Sequence, residues 1–100
     1  MILSNYTFSV EYSHALLFEN SLQKEILPLL GNLDYLIAIK TYKLLSEIET
    51  GGQNLSMQLF FDSNSAHMQF EEKEKTAFLS ILDKKFAGKY VYFQTLLEEF

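Results

Sequence analysis

Two histidines, thirteen acids and no cysteine define the chemistry open to this sequence. His14 and His67 each stand near the start of a helical segment, apart from any cluster of other ligands. His67 gains Glu71 four residues on, a single pair that falls short of the three or four donors a metal requires. Both read as surface histidines, because the first turn of a helix is commonly exposed. Glu71, Glu72 and Glu74 share one segment with Lys73 and Lys75, which is the pattern of a solvated face rather than of two carboxylates paired for catalysis. Glu98 and Glu99 read the same way. Without cysteine there is no disulfide, thiolate nucleophile, iron–sulfur cluster or thiolate zinc site. The sequence has no G-x-S-x-G, H-E-x-x-H, G-x-G-x-x-G or P-loop, and Gly51-Gly52 sits in a hairpin turn rather than ahead of a helix. No catalytic, cofactor-binding or metal-ligating residue is expected from these patterns.

Composition sets the remaining bounds. One hundred residues, 48% of them hydrophobic and 15% aromatic, suffice for one domain spanning 1–100 with a core of Phe and Tyr. All eight cations are lysines and the net charge is -5, so the concentrated charge and guanidinium forks of nucleic-acid recognition are missing. The start of the chain lacks a basic region followed by an apolar one, and no apolar run approaches the ~20 residues of a spanning helix. A soluble, cytoplasmic protein without membrane or nucleic-acid partners is the expectation.

Elements follow from hydrophobic period and punctuation. Ile2 to Glu11 alternates as a strand, with Tyr6, Phe8 and Val10 on one side and Asn5, Thr7 and Ser9 on the other. Ser13 precedes Ala15, Phe18, Leu22 and Ile26 at helical spacing, giving a helix from about Ser13 to about Leu27, closed by Pro28 and a left-handed Gly31. Tyr35 to Glu49 reads as a strand, joined through Thr50-Gly51-Gly52-Gln53 to another over Asn54 to Phe61. Asp62 to Ser65 offers capping oxygens for a second helix ending near Phe86, with the charged run Glu71 to Lys75 marking a bend or a solvated turn. After Gly88, a last strand runs from about Lys89 to about Leu97. The order βαββαβ is the ferredoxin-like α+β arrangement, a four-stranded antiparallel sheet with two helices on one face.

That arrangement leaves the other sheet face bare. If Tyr6, Phe8 and Val10 meet the helices, the bare face takes Asn5 and Thr7, Gln58 and Phe60, and Tyr90, Tyr92 and Gln94. Such a surface is too aromatic to be ordinary wet surface and too polar for a dry core, which suits a homodimer contact or a pocket lining. Exposed rings on this topology also fit single-stranded RNA, but the negative charge and the missing basic surround speak against it.

The segments Met1-Ile2-Leu3-x-Asn5-x-Thr7, Ser56-x-Gln58 and Phe86-x-Gly88-Lys89-x-Val91-x-Phe93-x-Thr95-Leu96-Leu97-Glu98, together with Phe18 ahead of Pro28, carry a resemblance over nearly the whole chain. The sequence is similar to a family of short bacterial proteins, known in the Bacteroidetes and catalogued as a domain of unknown function. The resemblance implies a stand-alone domain of the dimeric α/β-barrel kind and brings no activity with it. Family members tend to carry Trp where Phe18 stands and histidines in the second helix where Glu74 and Leu82 stand.

Two functional expectations result. The first is a homodimeric interaction or small-ligand-binding domain without catalysis, pairing through the open sheet face and taking a small hydrophobic ligand. The second is a cofactor-independent enzyme of the dimeric α/β-barrel type, monooxygenase- or isomerase-like, with Thr7, Gln58, Tyr92 and Gln94 orienting a hydrophobic substrate.

Overall fold

β1 (Ile2–Glu11) carries Ile2, Tyr6, Phe8 and Val10 on one side, and the structure, a computed structural model describing residues 1–46 and 51–100, buries that side against the helices. β2 (Ala38–Lys43), β3 (Gly52–Phe61) and β4 (Tyr90–Glu98) complete an antiparallel sheet in the order β2-β3-β1-β4. β1 is thus central, with Tyr6 opposite Met57 on one side and Gln94 on the other. This is the ferredoxin-like order expected from the sequence.

The first helix is longer and less regular than its sequence pattern. A 3-10 turn (Tyr12–His14) leads into α1 (Ala15–Ser21), a π-turn (Leu22–Ile26) and α2 (Leu27–Leu30). Pro28 therefore does not end the helix. Its nitrogen has no hydrogen to donate and its ring crowds the preceding turn, and the chain answers by widening, with Leu27 N–H reaching back five residues to Leu22. Phe18, Leu22, Ile26 and Leu30 remain on one buried stripe. Gly31 closes α2 by donating to Leu27 O at 2.8 Å with a φ of -65°, so the expected left-handed cap is not formed.

β2 is shorter than the Tyr35 to Glu49 run. Leu36 turns back to Leu33, Ile37 donates to Phe60 O at 2.8 Å, and regular pairing covers Ala38–Lys43. The expected Thr50 to Gln53 turn falls partly outside the described residues. β3 begins at Gly52, earlier than Asn54, and a Cβ there would run into the carbonyl of Val10.

Ser63 caps the second helix, its hydroxyl accepting from Ala66 N at 3.2 Å. The charged run does mark a break: α3 (Asn64–Lys73) ends and α4 (Lys75–Phe86) begins around Glu74, whose φ is -114°. Gly88, at φ 77°, then releases the chain into β4. Phe70, Phe78, Leu82 and Phe86 join Phe18 and the inward strand residues in one core. Among the described residues no helix is long and apolar enough to cross a membrane.

Candidate functional site

The two faces of the sheet offer two different surfaces, and the pairing of β4 decides which residues each receives. Val10 lies opposite Tyr90, Phe8 opposite Tyr92 and Tyr6 opposite Gln94. Tyr90, Tyr92 and Gln94 therefore stand on the helix side, not on the open face where the sequence pattern assigned them. Their rings explain the phase: Tyr90 packs on Phe8 and Phe18, and Tyr92 on Tyr6 and Phe8, with centroids 5.0–6.1 Å apart. Extending an existing aromatic core outweighs exposing the smaller alternate set. Asn5, Thr7, Gln58 and Phe60 do lie on the open face, as their half-buried alternation and register require.

The open face holds Val91, Phe93 and Leu97 instead, exposed by 70%, 63% and 48%. Beside this apolar column lies a hydrogen-bonded polar group in which Ser56 donates to Asn5 Oδ1 at 2.6 Å and Asn5 Nδ2 donates to Thr7 at 3.1 Å. Among the described residues the face presents one charge between its ends, Lys40, whose ammonium lies 5.3 Å from the Phe60 ring centre. At the rim Glu11 and Lys89 form an ion pair at 3.7 Å.

Beneath α3 a second arrangement gathers side chains that the sequence left apart. Glu71, read as solvated, accepts from Gln94 Nε2 at 2.6 Å and meets His67 Nε2 at 3.0 Å, while Lys75 Nζ lies 3.4 Å from its other oxygen. Gln94 also donates to Ser4 Oγ at 2.7 Å and accepts from Lys75 at 2.9 Å. His67, expected on the surface, is only 7% exposed because its ring stands edge-on to Phe61 at 5.5 Å. His14 stays half-buried beside Ser13, on the wall of a groove shared with Leu17 and Lys85.

Electrostatics follow the geometry. Burial pushes the Glu71 carboxyl up, but the Gln94 hydrogen bond, the Lys75 ammonium and His67 together outweigh it, leaving the group below its ordinary value. Burial, with Glu71 and Tyr92 nearby, raises the Tyr6 phenol far out of the physiological range, and the neighbouring Ser4 hydroxyl draws it back. Burial and the 2.6 Å bond to Asp83 likewise raise Tyr90. Among the described residues no group of three or more acids and histidines is placed to hold a metal. The signal that could have located this cluster was Ser4 and Gln94, the polar members of two inward alternate sets.

The chain is matched over its whole length by one family model. It belongs to the family described as a domain of unknown function, DUF4286, whose model matches residues 1–100. No curated protein matches it. Its fold is similar to that of a protein assigned as an antibiotic biosynthesis monooxygenase in Deinococcus radiodurans, with a TM-score of 0.75 and 18% identity over 100% of this chain and 93% of that one. SnoaB, a cofactor-independent oxygenase from Streptomyces nogalater, aligns with a TM-score of 0.66 and 9% identity over 98% and 91% of the two chains. A dimeric ferredoxin-like protein from an uncultured marine organism aligns at 0.65 and 20% identity over 99% and 96%. At these identities the likeness concerns the fold.

Proposed function

We propose that the protein is a homodimeric binding domain whose two copies pair open sheet face to open sheet face. The carrying observation is the charge pattern: in a chain of net charge -5 the described residues place no acid in the middle of one face and set Val91, Phe93 and Leu97 there in exposed positions. Depletion of charge around an apolar centre is the compositional mark of an interface core. Self-pairing of a like-charged molecule meets least repulsion where that charge is missing. The polar Asn5–Thr7–Ser56 group then fixes the pairing angle, since its remaining donors and acceptors complement a second copy of themselves. A solved structure of the same fold is described as dimeric, which supports the reading.

Sedimentation equilibrium across the micromolar range tests it. A dimer is expected, and a monomer at all concentrations with the Val91 and Phe93 methyl and ring signals accessible to a soluble paramagnetic probe removes the proposal. A second reading, a cofactor-independent enzyme, is favoured by the fold shared with SnoaB and by the His67–Glu71 pair. In the form expected from the sequence it needs one pocket for Thr7, Gln58, Tyr92 and Gln94, and the sheet separates the first two from the last two. Oxygen uptake with a panel of reduced aromatic compounds, with and without chelator, tests what is left of it, and no uptake removes it.

A further inference from the structure

The helix layer carries a groove of about 610 Å³ between the first helix and the end of α4. The two elements meet where the Phe18 and Phe86 rings lie 5.1 Å apart. His14, Leu17, Ser21 and Lys24, spaced three and four residues apart, form one stripe of the first helix along the groove. Phe86 and Ser21 are buried in its floor, whereas Leu17 stands 59% exposed on its wall. The methylene stems of Lys24 and Lys85 extend the apolar lining on either side.

The charge of the groove is opposite to that of the molecule. Thirteen acids against eight lysines give the chain its charge of -5, but the groove is lined by two lysines, Lys24 and Lys85, and one acid, Glu25. That acid is already matched. Lys85 Nζ donates to it at 2.6 Å, and Lys85 with the Ser21 hydroxyl holds its carboxyl below the ordinary value. The Lys24 ammonium, by contrast, has no ion pair or hydrogen bond among the described residues. One unmet positive charge beside an apolar wall fits a monoanion with an apolar body. A dianion such as a phosphate monoester would bring a second charge for which the groove has neither a free lysine nor a guanidinium fork.

We propose that this groove is a binding site for a small carboxylate monoanion, its apolar body lying on Leu17 and Phe86 and its carboxylate meeting Lys24. The site is independent of the dimer reading, since the groove lies in the helix layer and Phe93 on the opposite side of the sheet.

Titration of the nitrogen-labelled full chain, followed in amide NMR spectra, tests it with hexanoate as probe, hexanol as the uncharged control and hexylammonium as the cationic one. Hexanoate is expected to move the Leu17, Ser21, Lys24 and Phe86 amides saturably, with an affinity about fivefold above that of hexanol, the equivalent of one solvent-exposed ion pair. Hexylammonium is expected to bind more weakly than hexanol, and added salt to erode the advantage of hexanoate alone. Lys24→Gln is expected to bring hexanoate down to the level of hexanol and to leave hexanol unchanged, while Leu17→Ser weakens both. Both side chains are exposed, so neither substitution removes a core contact. Equal affinities for hexanoate and hexanol, an undiminished hexanoate affinity in Lys24→Gln, or the absence of saturation overturns the proposal. Shifts centred on Val91 and Phe93 overturn it too, because they move the ligand to the open sheet face.

Discussion

Replacing Tyr6 by Phe should make the free protein more stable, although Tyr6 is fully buried at the centre of the sheet. The substitution keeps the ring and therefore its edge-on contact with Phe78 at 5.2 Å and its tilted contact with Tyr92 at 5.9 Å. What it removes is a hydroxyl with no partner. An unmet buried donor costs about 1–3 kcal/mol, whereas a satisfied one would contribute about 1 kcal/mol in the opposite direction. The sign of the change thus reports whether the hydroxyl is met. With a urea m-value of about 1–3 kcal/mol/M for a protein of this size, a gain of about 2 kcal/mol raises the unfolding midpoint by roughly 1 M. Equilibrium urea unfolding followed by circular dichroism, with equal slopes for both proteins, measures it. A midpoint that falls in Tyr6→Phe refutes the reasoning, because it places a good hydrogen-bond partner at the phenol.

Phe93→Glu should weaken the dimer at least a hundredfold, since each copy loses about 1.5–3 kcal/mol of apolar burial and the two-fold doubles it; an unchanged sedimentation profile would show that this face is not the contact. Glu71 gives a pH signature. Its carboxyl is held below the unfolded value, so its stabilising effect is complete above the unfolded pKa and is lost as pH falls through the lower folded one. Glu71→Gln should flatten that acid limb in urea midpoints taken between neutral and acid pH, and an identical limb in both proteins contradicts it. Gly52→Ala should lower the unfolding midpoint sharply, because the added methyl meets the Val10 carbonyl where β1 and β3 pair; a neutral substitution would mean that the hairpin end shifts freely.

The sheet was legible where alternation was unambiguous. β1 and β3 each have one large apolar set and one small polar set, so their inward faces follow from period alone. β4 has bulky residues in both sets, and its phase depends on Tyr90 and Tyr92 finding Phe8 and Phe18, contacts that no local window contains. The same non-locality hid His67, whose burial comes from Phe61, and turned Glu71 from a solvated acid into the acceptor of Gln94, 23 residues away. At Pro28 the propensity rule gave way for a different reason. The apolar stripe continues through Leu30, and burying that residue favoured a widened turn over a stop.

β4 is the outermost ribbon on its side of the sheet, and from Tyr90 through Leu97 it carries no charge, no proline and no glycine. Among the described residues β4 pairs with no strand but β1, and such an edge, lined by β-branched and aromatic side chains, is the template on which further chains stack into fibrils. Refolding from denaturant, when this edge is offered to other chains, should therefore divert material into insoluble aggregate in proportion to concentration, and a lysine introduced at Thr95 should restore the recovered yield.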